Sequence, residues 1–122
     1  NYLGYLSLPE ILSVASQTDI IYMVYDPTYQ HNQIASPNKL YEALYLGKPC
    51  IVSENTSIDL FVDKYDIGYV TKFDVLSLKQ TFSGINQIEL LEKGKNAELI
   101  YPQFSWEHSK NKLIENYSSI CG

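Results

Sequence analysis

Residues 36–53 read Ser36-Pro37-Asn38-Lys39-Leu40-Tyr41-Glu42-Ala43-Leu44-Tyr45-Leu46-Gly47-Lys48-Pro49-Cys50-Ile51-Val52-Ser53. Two elements are written in this run. A helix is expected over 37–46. Ser36 stands where an N-cap belongs, and Pro37 occupies the first turn, where its missing N–H costs nothing. Leu40, Ala43 and Leu44 recur at helical spacing, and Gly47 is placed to end the helix. Residues 49–53 then form a short apolar run with no polar alternation, as expected of a strand covered on both faces. A helix leading directly into such a strand is the second half of a strand–helix–strand unit.

The first half lies upstream. Residues 19–24 carry Ile20-Ile21-Tyr22-Met23-Val24, a second strand of the same kind, and a long polar loop over 26–36 joins it to the helix. Downstream, a short helix is expected over 57–65 and a third strand over 67–71, with Gly68 inside it. Three helices complete the chain, over about 74–81, 86–99 and 105–120. The last has Ser105 as N-cap and Trp106, Leu113, Ile114, Tyr117 and Ile120 at helical spacing. Near the start, Ser7-Leu8-Pro9-Glu10 has the form of a capping box, with Leu8, Ile11, Leu12 and Ala15 on one face of the helix that follows. Residues 2–6 read as the tail of another strand. The alternation predicts an α/β fold with a mainly parallel sheet, and about three units of roughly 30 residues fit.

Composition narrows the function. The 122 residues make one domain, and 45% hydrophobic residues are enough for a core. The chain starts at Asn1 and reads as a piece of a longer protein. Nine basic residues against fourteen acidic ones give a net charge of −5, with no basic run, so nucleic acid is not an expected partner. Cys50 reads as a small core residue, and Cys121 lies too far away for a disulfide framework. His31 and His108 are isolated and read as surface histidines, so no metal site is expected. The longest apolar run, 20–25, is far below the ~18 residues of a membrane span. With no signal peptide either, a cytoplasmic protein is expected.

The candidate chemistry lies after the first strand, since ligands in open α/β sheets sit beyond the strands' carboxyl ends. The backbone N–H groups of Asn38, Lys39 and Leu40 are placed at the positive end of a helix dipole, a setting suited to a phosphate or diphosphate. Lys39 in the first turn opposes that dipole, and an anionic ligand would reverse the sign. Glu42, one turn on, can pair with Lys39 on the surface or accept two hydrogen bonds from a sugar diol. Tyr25 and Tyr29 flank the loop and are the tyrosines to test for ligand contact. Tyr22, Tyr41, Tyr45 and Tyr69 are expected to pack with a wet hydroxyl.

The block from Ser36 to Leu44, followed by Gly47-Lys48-Pro49-Cys50-Ile51-Val52-Ser53, resembles the donor-binding region of family 4 glycosyltransferases of the GT-B fold. Gly4-Tyr5-Leu6 with Leu8-Pro9-Glu10-Ile11-Leu12, and Phe104-Ser105-Trp106-Glu107 near the end, are similar to segments of that family too. The resemblance covers nearly the whole chain in order.

It implies a Rossmann-like three-layer fold, the partial C-terminal half of a retaining enzyme that transfers sugar from a nucleoside-diphosphate donor. The acceptor would be a glycan or a lipid-linked molecule, in surface polysaccharide biosynthesis. Asn38, Lys39 and Leu40 would hold the donor diphosphate and Glu42 the ribose. The first glutamate of the family's Glu-x7-Glu motif would fall at position 34, which here is Ile34. Tyr25, Asp26, Asn32, Gln33 and Ser36 are therefore the candidate donor-sugar loop.

The resemblance further implies that no metal or other cofactor is required. A missing N-terminal domain would complete the active site, so the isolated piece is expected to be inactive. The parent would be cytoplasmic or peripheral to the inner membrane. The edge of the first strand, left unpaired, would favour self-association.

Three other readings compete. A non-catalytic nucleotide-sugar-binding module fits the same residues. A sugar-nucleotide epimerase-like domain is opposed by the Pro-Asn-Lys-Leu-x-Glu block. A phosphorylatable receiver would need an acidic pair after the first strand, which is absent.

Overall fold

The computed structural model describes residues 2–121. Its elements are α1 (Leu8–Ser16), β1 (Ile21–Met23), α2 (Gln30–Ile34), α3 (Asn38–Tyr45), β2 (Cys50–Ser53), α4 (Asp59–Lys64), β3 (Gly68–Thr71), α5 (Val75–Gly84), α6 (Gln87–Phe104) and α7 (Trp106–Cys121). The three strands form one parallel sheet in the order β1-β2-β3. The expected α/β class with a parallel sheet is present.

The unit around 36–53 forms as its residues dictate. Gly47, at φ +60°, sits just beyond the last residue of α3 in the left-handed region that only glycine enters freely. Its N–H bonds the Leu44 carbonyl at 3.1 Å, and the Lys48 N–H bonds the Ala43 carbonyl at 2.9 Å. This pair of bonds is a Schellman motif; it satisfies two carbonyls at the helix end and turns the chain into β2. All four residues of β2 are buried.

Register assigns the faces. Ile21 pairs with Cys50 and Met23 with Val52, and these residues join Leu40, Leu44, Val62 and Ala97 in one core between the sheet and α3, α4 and α6. Tyr22, Ile51 and Tyr69 align across the opposite face. Ile51 is sealed there, but Tyr22 is 49% exposed. So β1 is not covered on both faces, as its apolar sequence predicts; it is a short edge strand paired on one side only. Phe61, Tyr65 and Phe104, with centroids 4.7–5.8 Å apart, clamp the end of α6 to α4.

Other expectations are corrected. Residues 2–6 form no strand. The loop over 26–36 contains α2. The helix expected to end at 99 continues through Pro102 to Phe104. The capping box at Ser7 and Glu10 forms: the Glu10 carboxylate accepts from the Ser7 N–H at 2.7 Å and from its hydroxyl at 2.6 Å. Yet α1 buries none of its residues. Helix α7 also leaves its apolar stripe open, from Trp106 (71% exposed) to Ile120 (79%). Tyr45 is exposed and Tyr41 borderline, so these rings are less packed than their positions in a helix suggest. Among the described residues, no helix is long and apolar enough to cross a membrane.

Candidate functional site

The segment leaving β1 turns at once. The Tyr25 N–H donates to Ser53 Oγ at 2.9 Å, and the Ser53 hydroxyl donates back to the Tyr25 carbonyl. Ser53 is the buried last residue of β2, so this reciprocal pair ties the exit of β1 to the exit of β2. Asp26 then builds an Asx turn, its Oδ1 accepting from the Thr28 N–H at 2.9 Å and hydroxyl at 2.8 Å. The Asn32 side-chain amide donates to the Asp26 carbonyl, and that of Gln33 to the Pro27 carbonyl, both at 2.8 Å. The Ser57 N–H closes the loop on the Asn32 carbonyl at 3.1 Å.

Between this loop and the start of α3 lies a cavity of about 440 Å³, lined by Tyr25, His31, Asn32, Ala35, Ser36, Pro37, Ser57 and Ile58. It opens beyond the carboxyl ends of β1 and β2, where α/β sheets place ligands. The structure thus brings Tyr25, Asn32 and Ser36 of the expected donor-sugar loop to one wall. Asp26 and Gln33 do not line this cavity, and Gln33 is exposed. Tyr29 and Ile34 are exposed and stand outside the lining as well. Tyr25 is half-buried, and burial raises its phenol above the usual range.

Two further polar residues line the cavity beyond those expected from the sequence. Ser57 arrives through tertiary folding, from beyond β2. His31, read as a surface histidine, is exposed yet borders the cavity because α2 forms. No spacing in the chain signals either one.

The start of α3 differs from expectation in two respects. Ser36 is not the cap: Pro37 holds that position, and the Ser36 hydroxyl lies 2.8 Å from the Tyr41 hydroxyl. The Leu40 N–H is also engaged, donating to the Pro37 carbonyl at 3.0 Å, and Leu40 is buried. A cradle of three amides therefore shrinks to two, Asn38 and Lys39, with no side-chain cap over them.

Glu42 lies one turn deeper and is half-buried. No ion pair joins it to Lys39 among the described residues. Its side chain stands between two depressions. One, of about 360 Å³, lies between α1, β1 and α3, with Lys39 on its wall. The other, of about 470 Å³, lies between α1, α3 and the α6–α7 junction, with Asn38 on its wall. The uncapped helix start, a free carboxylate one turn on and two adjoining depressions can together take an anion with a hydroxylated group beside it. Among the described residues, no group of three or more His, Cys, Asp or Glu side chains is placed to hold a metal ion.

No family model, curated protein or solved structure matches the chain.

Proposed function

We propose that this chain is the nucleotide-sugar-binding part of a retaining glycosyltransferase of Rossmann-like, GT-B type. The observation that carries the reading is the pairing at α3: two uncapped amides at the helix start, with the unpaired Glu42 carboxylate one turn away. Asn38 and Lys39 donate to the diphosphate of a nucleoside-diphosphate sugar, aided by the helix dipole and the Lys39 charge. Glu42 accepts from the ribose hydroxyls. The Tyr25–Ser36 cavity faces the sugar.

Charge grows on the diphosphate as it leaves the anomeric carbon, and donors already aimed at it lower that barrier without reorganising. An acceptor hydroxyl from a glycan or lipid-linked molecule attacks the same face, held by an N-terminal domain of the parent. The proposed setting is surface polysaccharide synthesis in the cytoplasm or at the inner membrane.

Calorimetric titration with uridine and guanosine diphosphates tests the reading. The chain should bind at least one of them, and Glu42→Ala should weaken that binding. Equal affinity in wild type and variant would remove Glu42 from the site. No heat with either nucleotide at millimolar concentration would count against the reading as a whole.

A further inference from the structure

We infer that the sugar facing the Tyr25–Ser36 cavity carries a carboxylate, which makes the donor a nucleoside-diphosphate uronate. The inference rests on the proposed function and adds the class of sugar.

The cavity wall is polar, yet it holds no Asp, Glu, Lys or Arg side chain. Glu42 borders the two other depressions, and Asp26 Oδ1 is spent on its own Asx turn. Most of the polar wall is engaged as well. The Asn32 side-chain amide donates to the Asp26 carbonyl, the Ser57 hydroxyl donates to the Ala35 carbonyl, and the Ser36 hydroxyl pairs with that of Tyr41.

Two side chains on the wall are left over. The Tyr25 phenol and the His31 imidazole make no hydrogen bond among the described residues; the loop bonds of Tyr25 use only its backbone. Each group has a hydrogen to give, and burial holds the phenol proton on Tyr25.

Two free donors with no acid beside them suit an anion. A sugar hydroxyl donates as well as accepts, and a carboxylate on the wall would serve it by taking its hydrogen. The carboxylate of a uronate only accepts, so two donors satisfy it, whereas an acid on the wall would repel it. Bonds of this charge-assisted kind are about twice as strong as neutral ones. Ala35, Pro37 and the buried Ile58 supply the apolar part of the wall, beside which such bonds lose less to water.

Position agrees with chemistry. Ser36 and Pro37 line the cavity and directly precede the Asn38 and Lys39 amides, so the cavity adjoins the proposed diphosphate seat. At about 440 Å³ it lies in the range of small-molecule sites.

Calorimetry compares two series: UDP, UDP-glucose and UDP-glucuronate, and GDP, GDP-mannose and GDP-mannuronate. In the series whose nucleotide binds, the uronate should bind about tenfold more tightly than the neutral sugar. Tyr25→Phe keeps the ring and removes the O–H, and His31→Ala removes an exposed imidazole. Each should cut the preference to about threefold or less. Neither should change the affinity for the plain diphosphate, which also reports that the variant is folded.

Uronate bound no more tightly than the neutral sugar would overturn the inference, while nucleotide binding keeps the proposed function standing. A preference that survives in both variants would overturn it too, because the carboxylate would then be held elsewhere. No binding of any nucleotide or nucleotide sugar would remove the proposed function and this inference together.

Discussion

Replacing Ser53 with alanine should loosen the site at one identifiable joint. Ser53 is fully buried at the end of β2, and its hydroxyl both accepts from the Tyr25 N–H and donates to the Tyr25 carbonyl. Alanine removes both bonds and leaves a part-buried N–H with no partner. The cost of such an orphaned group is about 1–3 kcal/mol. Against the ~5–15 kcal/mol of a typical domain, that is a substantial fraction. With a urea slope of about 1–3 kcal/mol per molar, the unfolding midpoint should fall by roughly 1 M at an unchanged slope.

The loss is local as well as global. Hydrogen exchange at the Tyr25 amide should quicken about 5- to 150-fold, the factor equivalent to the same energy. Urea unfolding followed by circular dichroism reads the first quantity, and amide exchange by NMR reads the second. An unchanged midpoint with a Tyr25 amide that exchanges as slowly as in the wild type would refute the idea that this hydroxyl anchors the loop.

Five further outcomes are expected. A methyl group added at Gly68 would fall 2.1 Å from the Cys50 carbonyl oxygen, so Gly68→Ala must push β3 from β2 and should cost about 1–3 kcal/mol in urea unfolding; an unchanged midpoint would contradict that contact. Burial pushes the Cys50 thiol up to about 12, so mass-mapped alkylation at pH 8 should spare Cys50 in the folded chain and reach it in urea. An unfolded thiol loses its proton near pH 9 while the folded one keeps it; stability should therefore fall as pH rises from about 9 to about 12, and a flat alkaline profile would be inconsistent. Removing residues 110–122, where no side chain between 110 and 120 is buried, should cost less than about 1 kcal/mol, whereas a large midpoint loss would mean α7 has a role its exposure does not show. The unpaired edge of β1 should give concentration-dependent association in light scattering, and a monomer at all concentrations would argue against it.

How far the fold can be read from the chain depends on where each element gets its stability. β2 was readable because it is buried all round, so its apolar run is continuous. The end of α3 was readable because Gly47 fixes it locally. β1 carries the same continuous apolar signature, yet its Tyr22 face is half open. Helix α2 was hidden because Gln30-His31-Asn32-Gln33-Ile34 has no apolar period. The bonds around it run from Asn32 back to Asp26 and from Ser57 to Asn32, and neither shows in local sequence.

The site follows the same rule. The start of α3 is legible from Pro37 and the residues after it. The loss of Leu40 as a donor was not, because it depends on how the Pro37 carbonyl is turned. Ser36 looked like a cap by residue type, but the reach of the Tyr41 ring decided its partner. The Tyr25–Ser36 cavity is least legible, since its walls come from the exit of β1, from α2 and from the segment after β2, and meet only in three dimensions.

The most direct measurement is a two-dimensional NMR titration of the chain with uridine and guanosine diphosphates. The account predicts that the Asn38 and Lys39 amides shift most, with Glu42 following and Asp66 and Lys93 at the far end of the sheet unmoved. Shifts that gather away from α3, or none at millimolar nucleotide, would contradict it.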